Sequence, residues 1–238
     1  MSKITYLDHS GFIVEDEEVI MVFDYFRDPS NALLHALNAS PDKPVVFFVT
    51  HHHPDHYNKS IFHLAQNHRR TYVMSNDVHP QNVPDTLEVA GMSRGDVIEN
   101  LHGGITVHAY GSTDAGVSFL VTTKSGKKIF HAGDLNDWHW QDESTMREVE
   151  EAGEHYMTII KRIASEVPEM DVVFFPVDVR QGSDFARGAR EFMTAVKVHD
   201  FFPMHFSGDY RKACDFSEYE VPGTTCHCLH NPGESIDI

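Results

Sequence analysis

A group of histidines and one aspartate in the first quarter of the chain has the residue types and spacing of a metal site. The donors lie in one short segment, at positions His51, His53, Asp55 and His56. Imidazole nitrogens and carboxylate oxygens are the ligands that borderline divalent metals such as zinc prefer. On a tight loop, the first two histidines can point toward one ion, while the aspartate and the last histidine turn toward a second position beside it. The segment therefore predicts a site for one or two divalent ions.

The residues before this segment indicate how it is positioned. Residues 44–49 form an apolar run rich in valine and phenylalanine, which is typical of a buried strand. The donors then follow directly after the end of that strand. A strand end fixed in the core would hold a ligand loop in place.

The H-x-H-x-D-H spacing resembles the signature of the metallo-β-lactamase superfamily of hydrolases. That family has a Gly-Asp pair after a later strand, which Gly133 and Asp134 match, and a final histidine after another strand, which His205 matches. The opening residues 6–12, followed by residues 23–25, resemble the branch that contains sugar-lactone hydrolases. The resemblance extends from about residue 4 to residue 206, which is most of the chain.

The resemblance implies an α+β fold, a four-layer αββα sandwich with the site along one edge, whereas composition alone indicates only a mixture of helices and strands. We expect one domain over residues 1–238, because no repeat or linker divides the chain. Apolar spacing predicts a long helix over residues 143–167 and another helix from Ser60 to about Arg69 and Arg70.

The resemblance also implies a division of the ligands between two ions. His51 and His53 would hold the first ion. The second ion would be held by Asp55, His56 and His205, with Asp134 linking both ions through its two oxygens. Asp55 would be the catalytic residue, as a ligand that also shuttles a proton.

One element departs from the family pattern. The family places a histidine in a loop between the first motif and the Gly-Asp pair, and residues 111–116 contain none. Ser112 aligns with the missing histidine, and Asp114 is the nearest good metal ligand. His108 lies before the loop and is a third alternative. We expect Asp114 to serve as the replacement ligand.

Other residues can serve the site from outside the ligand set. Asp24 ends a strand, where it would support a ligand histidine or the loop of residues 50–57 (the metal loop), or would simply be a turn residue. His9 could face the substrate or cap a turn. His139 lies between the two tryptophans and is a candidate substrate contact. Arg180 would suit an anionic substrate, or would pair internally with Asp178.

Composition limits the partners and the compartment. With 19 basic and 36 acidic residues, the chain has a formal charge of −17. That charge disfavours nucleic acid and anionic membranes, so we expect a small-molecule substrate. No secretory signal or membrane span is recognisable, and three cysteines clustered late in the chain fit a reducing cytoplasm better than a disulfide framework. We therefore expect a cytoplasmic protein; the sequence does not indicate its oligomeric state.

These residues together predict a metal-dependent hydrolase that uses a metal-bound hydroxide to cleave a small-molecule ester, lactone or phosphoester. We expect one or two divalent ions, zinc first, with manganese or iron as alternatives. Two other functions stay open. One is a nuclease or phosphodiesterase of the same superfamily, which the acidic charge disfavours. The other is a non-catalytic metal-binding protein, which the altered middle loop allows.

Overall fold

Two β-sheets form the centre of the molecule. The computed structural model describes residues 1–79, 83, 87, 89–206 and 209–238. In these residues the first sheet contains β1 (Lys3–Asp8), β2 (Gly11–Glu15), β3 (Ile20–Phe23), β4 (Val45–Val49), β5 (Arg70–Ser75), β6 (Val89–Met92) and β14 (Ser235–Asp237). The second contains β7 (Val97–Leu101), β8 (Ile105–Gly111), β9 (Val117–Thr122), β10 (Lys128–His131), β11 (Glu169–Pro176), β12 (Lys197–Met204) and β13 (Thr225–Cys226).

The strand order brings several strand ends to one edge. The first sheet runs β14-β1-β2-β3-β4-β5-β6 and the second runs β13-β12-β11-β10-β9-β8-β7. β1, β2 and β3 form an antiparallel meander, whereas β3 to β6 are parallel to one another. In the second sheet β10, β11 and β12 are parallel. Because parallel strands end at the same edge of a sheet, the segments that follow them converge.

Helices cover the outer faces of both sheets. α1 (Ala32–Ala39) and a 3-10 helix (Lys59–His63) share an apolar cluster with the first sheet. α2 (Met146–Glu166) and α3 (Arg187–Ala195) pack on the second sheet, and the short α4 (Tyr210–Ala213) follows β12. Phenylalanines from both sheets fill the space between them, with Phe12 stacked on Phe174. The predicted α+β sandwich with four layers is confirmed.

The longest predicted helix forms nearly as expected. α2 begins after Thr145, whose hydroxyl accepts a hydrogen bond from the Glu148 backbone while the Glu148 carboxylate accepts one from the Thr145 backbone. Its buried side chains recur at three- and four-residue intervals, at Tyr156, Ile159, Ile160 and Ile163. This apolar face packs on the second sheet and the glutamates face solvent.

The helix predicted from Ser60 to about Arg70 is shorter than expected. The segment forms a 3-10 helix that ends at His63, and Arg70 already belongs to β5. The Arg70 guanidinium donates from Nη1 to the carbonyls of Phe62 (2.9 Å) and Leu64 (3.0 Å). These bonds satisfy carbonyls that a continuing helix would have used, so the turn ends there.

The expectation that the cysteines remain reduced was wrong. Cys214 and Cys228 form a disulfide, with Cα atoms 5.5 Å apart, and Cys226 is free. Cys228 lies two residues after the end of β13, where it meets Cys214 at the end of α4. None of the helices in the described part of the chain has the length and apolar character needed to cross a bilayer.

Candidate metal centre

The candidate metal centre lies where strand ends from the two sheets meet. The metal loop follows β4, and Asp24 follows β3 in the same sheet. Asp134, Asp178 and His205 follow β10, β11 and β12 of the other sheet. The buried strands before each of these residues fix where its backbone leaves the core.

The first group of donors comprises His51, His53 and Asp134, with one ligand atom from each lying within 4.8 Å of the others. Asp134 Oδ2 is 3.2 Å from His51 Nε2 and 3.8 Å from His53 Nδ1. His51 and Asp134 are buried, and His53 is partly exposed. The site therefore has a closed side and a side open to solvent.

The second group of donors comprises His9, Asp55, His56 and His205, again within 4.8 Å of one another. His9 Nε2 is 3.3 Å from Asp55 Oδ2. Asp134 also faces this group, because its Oδ1 is 3.1 Å from His56 Nε2 and 3.5 Å from His205 Nε2. The two oxygens of one carboxylate thus face two separate sets of histidines.

Buried atoms without hydrogen bonds support a metal at both positions. Nε2 of His9, His51 and His56, together with Oδ1 of Asp134, are buried and make no hydrogen bond. Leaving such groups unpaired in the interior costs free energy unless an ion or water completes them. The donor set of imidazoles and carboxylates therefore fits divalent ions.

Two of the ligand histidines are held by hydrogen bonds between Nδ1 of the ring and a buried carboxylate. His56 Nδ1 bonds the Asp24 carboxylate at 2.8 Å, and His205 Nδ1 bonds the Asp178 carboxylate at 3.0 Å. With Nδ1 donating, Nε2 of each ring keeps a lone pair directed at Asp134 and its neighbours. Asp24 also accepts from the Thr50 backbone (2.8 Å) and hydroxyl (2.6 Å), so it fixes the start of the metal loop.

Two glycines allow neighbouring loops to approach the metal loop closely. A Cβ on Gly116 would lie 2.0 Å from the Thr50 carbonyl oxygen, and a Cβ on Gly133 would lie 2.8 Å from the Thr50 side chain. Both glycines have positive φ angles, of 66° and 55°. Gly133 therefore lets the backbone bring Asp134 against the metal loop.

The carboxylates of the site are ionised in the interior. Burial would raise the pKa of Asp134, but the neighbouring His51 and His56 hold that pKa well below its usual range. Burial lowers the pKa of His56, whereas the negative charges of Asp134 and Asp24 outweigh it and raise that pKa to about 10. The contacts between His56 Nε2 and Asp134 are not aligned as hydrogen bonds, so their effect is electrostatic. A bound cation would take the place of the His56 proton.

The residues considered for the missing histidine lie outside both donor groups. Asp114 is exposed in its loop and lines a cavity beside Asp134. Ser112 Oγ accepts a hydrogen bond from the Asp114 backbone. His108 lies on β8 with its ring 4.2 Å from Tyr110. The structure does not bring Asp114 into either donor group, so its role as a metal ligand stays a prediction.

His9 joins the second donor group, although its sequence position was equally typical of a turn. It lies at the turn between β1 and β2 with a φ of 56°, and its carbonyl accepts from the His205 backbone at 3.2 Å. Its ring lies 4.2 Å from that of His205. The signal in the sequence was a histidine directly after a strand at the opening of the chain.

Of the two candidate substrate contacts, only Arg180 reaches a cavity. Arg180 lines a cavity of about 270 Å³ with Asp134, and it pairs with Asp178. The ring of His139 is buried. Its Nε2 donates to the Asp184 carbonyl (3.2 Å), and its Nδ1 accepts from the Gln141 backbone N–H (3.1 Å). His139 therefore anchors its loop, and its two tryptophan neighbours line the cavity instead.

Comparisons with known proteins agree with this geometry. The model of the β-lactamase superfamily domain matches residues 3–150. A UPF0173 metal-dependent hydrolase of Methanosarcina barkeri is 24% identical over 99% of this chain and 98% of its own length. Another, from Desulforamulus reducens, is 25% identical over 86% of this chain and 84% of its own.

Solved structures share the fold. A metallo hydrolase from Ignicoccus hospitalis superposes with a TM-score of 0.68 at 15% identity, covering 99% of this chain and 97% of that one. A diiron β-hydroxylase from Streptomyces venezuelae superposes with a TM-score of 0.63 at 14% identity, covering this whole chain and 54% of that chain. With a family model that spans most of the chain and a matching arrangement of donors, the chain belongs to the metallo-β-lactamase superfamily and is a metal-dependent hydrolase.

Proposed function

We propose that this protein hydrolyses an ester, lactone or phosphoester of a small molecule at a centre for two metal ions. The observation that carries the proposal is the position of Asp134, whose two oxygens face two separate histidine groups. His51 and His53 would hold one ion. The other would be held by Asp55, His56, His205 and His9.

The residues around the ions have distinct tasks. A bound divalent ion supplies Lewis acidity and lowers the pKa of coordinated water to about 7 in zinc enzymes. Asp55 is partly exposed, and its Oδ2 lies 3.3 Å from His9 Nε2, so it can pass a proton between the site and solvent. Arg180 carries positive charge to the cavity beside Asp134 and would attract an anionic oxygen of the substrate.

The size and charge of the site favour a small substrate. The two cavities that contain residues of the centre measure about 250 Å³ and 270 Å³. These volumes lie just below the roughly 300–1,000 Å³ typical of small-molecule pockets. A formal charge of −17 disfavours a nucleic-acid substrate. A cytoplasmic location, expected from the sequence, remains part of this proposal.

Zinc is the metal we expect, because histidine and carboxylate donors with a solvent-open side suit catalytic zinc. The same donors also suit iron and manganese. A diiron protein shares the fold, so the fold alone does not determine the metal.

The experiment that tests the proposal combines metal analysis with a substrate screen. The purified protein should contain two equivalents of metal and turn over at least one lactone, ester or phosphodiester. Asp134→Ala should abolish metal-dependent turnover and leave the fold intact by circular dichroism, because it removes the carboxylate that faces both groups.

Asp16→Asn is the matched control. Asp16 is also a buried aspartate, but it bonds Ser2 far from the centre, so its variant should keep both metal and turnover. Full activity in Asp134→Ala would reject the proposal. Metal without hydrolysis of any compound in the screen would favour a non-catalytic metal protein.

A further inference from the structure

The tryptophan cavity carries a further inference about the substrate. We define it by its lining residues, which are Thr113, Asp114, Asp134, Trp138, Trp140, Arg180 and His205. It adjoins the proposed centre directly, because Asp134 and His205 belong to both. A group bound here would lie next to the bond that the centre cleaves.

Two indole rings form the apolar wall of this cavity. Trp138 and Trp140 are the only tryptophans of the chain, and their rings are nearly parallel at 14°, with centroids 6.2 Å apart. The Trp138 indole N–H donates to the Asp134 carbonyl at 2.8 Å, which ties the ring to the backbone of Asp134. Trp140 has a φ of 41°, a backbone conformation that residues other than glycine rarely adopt. The hydrogen bond holds the Trp138 ring in place, and the Trp140 ring lies nearly parallel to it.

Arg180 supplies the permanent positive charge among the residues that line the tryptophan cavity. Its Nε and Nη2 bond the Asp178 carboxylate, and that carboxylate also accepts from His205 Nδ1. Because two of its nitrogens are fixed in this way, the guanidinium is held rigidly while Nη1 keeps two N–H groups for a ligand. An anionic oxygen near the centre would find a donor there.

Two polar groups of the wall are already occupied, so neither is available to the hydroxyl groups of a sugar. The Thr113 hydroxyl donates to the Asn136 carbonyl at 2.6 Å and accepts from the Asn136 backbone at 3.0 Å. The indole N–H of Trp138 is occupied as well. A hydroxyl group placed against Thr113 or Trp138 would lose water without gaining a partner, whereas the face of an aromatic ring needs none.

We propose that the substrate carries one aromatic ring, which packs on Trp138 and Trp140, and a negatively charged oxygen next to the scissile bond, which binds Arg180. The proposal rests on the proposed hydrolase function and names its substrate class, aryl compounds with an adjacent carboxylate or phosphoryl group. A cavity of about 270 Å³ has room for one aromatic ring and its charged substituent.

Intrinsic fluorescence tests the proposal, because both tryptophans of the chain lie in this cavity. The metal-loaded protein is titrated with phenylphosphonate and, in parallel, with cyclohexylphosphonate, which has the same charge and a similar size without aromaticity. Neither probe is hydrolysed. Aromatic pairing should make phenylphosphonate bind roughly three- to tenfold more tightly, with quenching of the tryptophan emission.

Three variants assign the contacts. Trp140→Leu keeps apolar bulk and should bring the ratio of the two dissociation constants close to one, whereas Trp140→Phe should retain most of the preference. Arg180→Gln should weaken both probes by a similar factor, about tenfold, and leave their ratio unchanged. Arg27→Gln is the matched control, because Arg27 lines the other cavity at the centre.

Equal affinities for the two probes in the unmodified protein would overturn the proposal, as would an unchanged ratio in Trp140→Leu. Loss of binding in Arg27→Gln rather than Arg180→Gln would place the ligand in the other cavity and overturn it too. Any contribution of a bound ion cancels in the ratio of the two probes. A failed hydrolysis screen would therefore count against the proposed function alone, while a ratio of one would count against the aromatic substrate alone.

Discussion

Each buried ligand histidine has a partner on the side of its ring away from Asp134. The partner oxygens belong to Thr50 for His51, Asp24 for His56 and Asp178 for His205. Because the Thr50 hydroxyl donates to Asp24, its oxygen accepts from His51 Nδ1 at 3.0 Å. These contacts select one tautomer and fix the ring planes, so the donor atoms are arranged before any ion arrives.

Asp24→Asn should weaken metal binding by roughly 10–100-fold, the usual effect of removing the partner of a ligand histidine. The amide keeps the size of the side chain but loses the charge that holds the His56 N–H and the Thr50 hydroxyl. Competition with a chromogenic chelator measures the affinity. Asp16→Asn, a buried aspartate away from the centre, should leave that affinity unchanged. An equal affinity in Asp24→Asn and the unmodified protein would show that Asp24 is only a turn residue.

Donors that share one loop are the ones whose proximity the sequence predicts most directly. His51, His53, Asp55 and His56 follow a single strand, so their spacing alone indicated two positions. His9 comes from a different strand end and reaches the group through its bond with the His205 backbone. No spacing within the chain expresses that contact, so the sequence indicated His9 only as a residue that faces the substrate or caps a turn.

At the scale of elements, close approach between loops determines the shape of the centre. The Thr50 carbonyl accepts from the Val117 backbone at 3.0 Å, which joins the metal loop to the start of β9. Gly116 precedes that bond with no space for a side chain, since a Cβ would also lie 2.6 Å from His51 Cβ. The segment that lacks the family's histidine thus holds the metal loop through the Val117 backbone and not through a ligand side chain.

Gly116→Ala should destabilise the protein by roughly 2–5 kcal/mol, the sum of a strained positive φ and an overpacked contact with Thr50. Gly126→Ala is the control for the strain alone, because Gly126 also has a positive φ but a Cβ added there would meet no atom within 4 Å among the described residues; about 1–2 kcal/mol is expected there. Urea denaturation gives both values. Similar losses in the two variants would mean that the contact with Thr50 can relax freely.

The elements themselves were largely predictable, and the exceptions have local causes. An apolar run located β4, and apolar spacing located α2, whose capping residues Thr145 and Glu148 coincide with its start. The segment after Ser60 has helical spacing, yet it stops after one 3-10 turn because Arg70, from the next strand, bonds its last carbonyls. A contact between two elements overrode the local pattern in this case.

At the scale of the whole molecule, a strongly acidic chain presents one arginine at the cavity beside the candidate metal centre. The chain carries a formal charge of −17, but the substrate side of the centre presents Arg180. The charges of Asp134 and Asp55 contribute to the raised pKa of that arginine, after the larger effect of its bond to Asp178 and against the effect of burial. Bound cations would neutralise these carboxylates, and the arginine would then add to a locally positive site.

The end of the chain returns to both sheets, and the disulfide joins this last segment to α4. β14 pairs with β1, β13 pairs with β12, and Cys214 is linked to Cys228 across 14 residues. Near the disulfide, His230 stacks on Tyr210 at 3.9 Å, and both line the cavity that contains His9. The covalent link therefore stabilises a wall of the second cavity as well as the end of the fold.

Cys228→Ser should lower the free energy of unfolding by roughly 2–4 kcal/mol, because opening a loop of this length returns conformational entropy to the unfolded chain. Cys226→Ser is the matched control: it is a free cysteine two residues away, and burial raises the pKa of its thiol to about 11, so it does not compete for the bond. Thermal unfolding is measured with and without a reductant. Reductant should lower the Tm of the unmodified protein and of Cys226→Ser, and should leave Cys228→Ser unchanged. If all three proteins respond alike, or if thiol titration of the native protein finds three free thiols, the disulfide does not stabilise the fold.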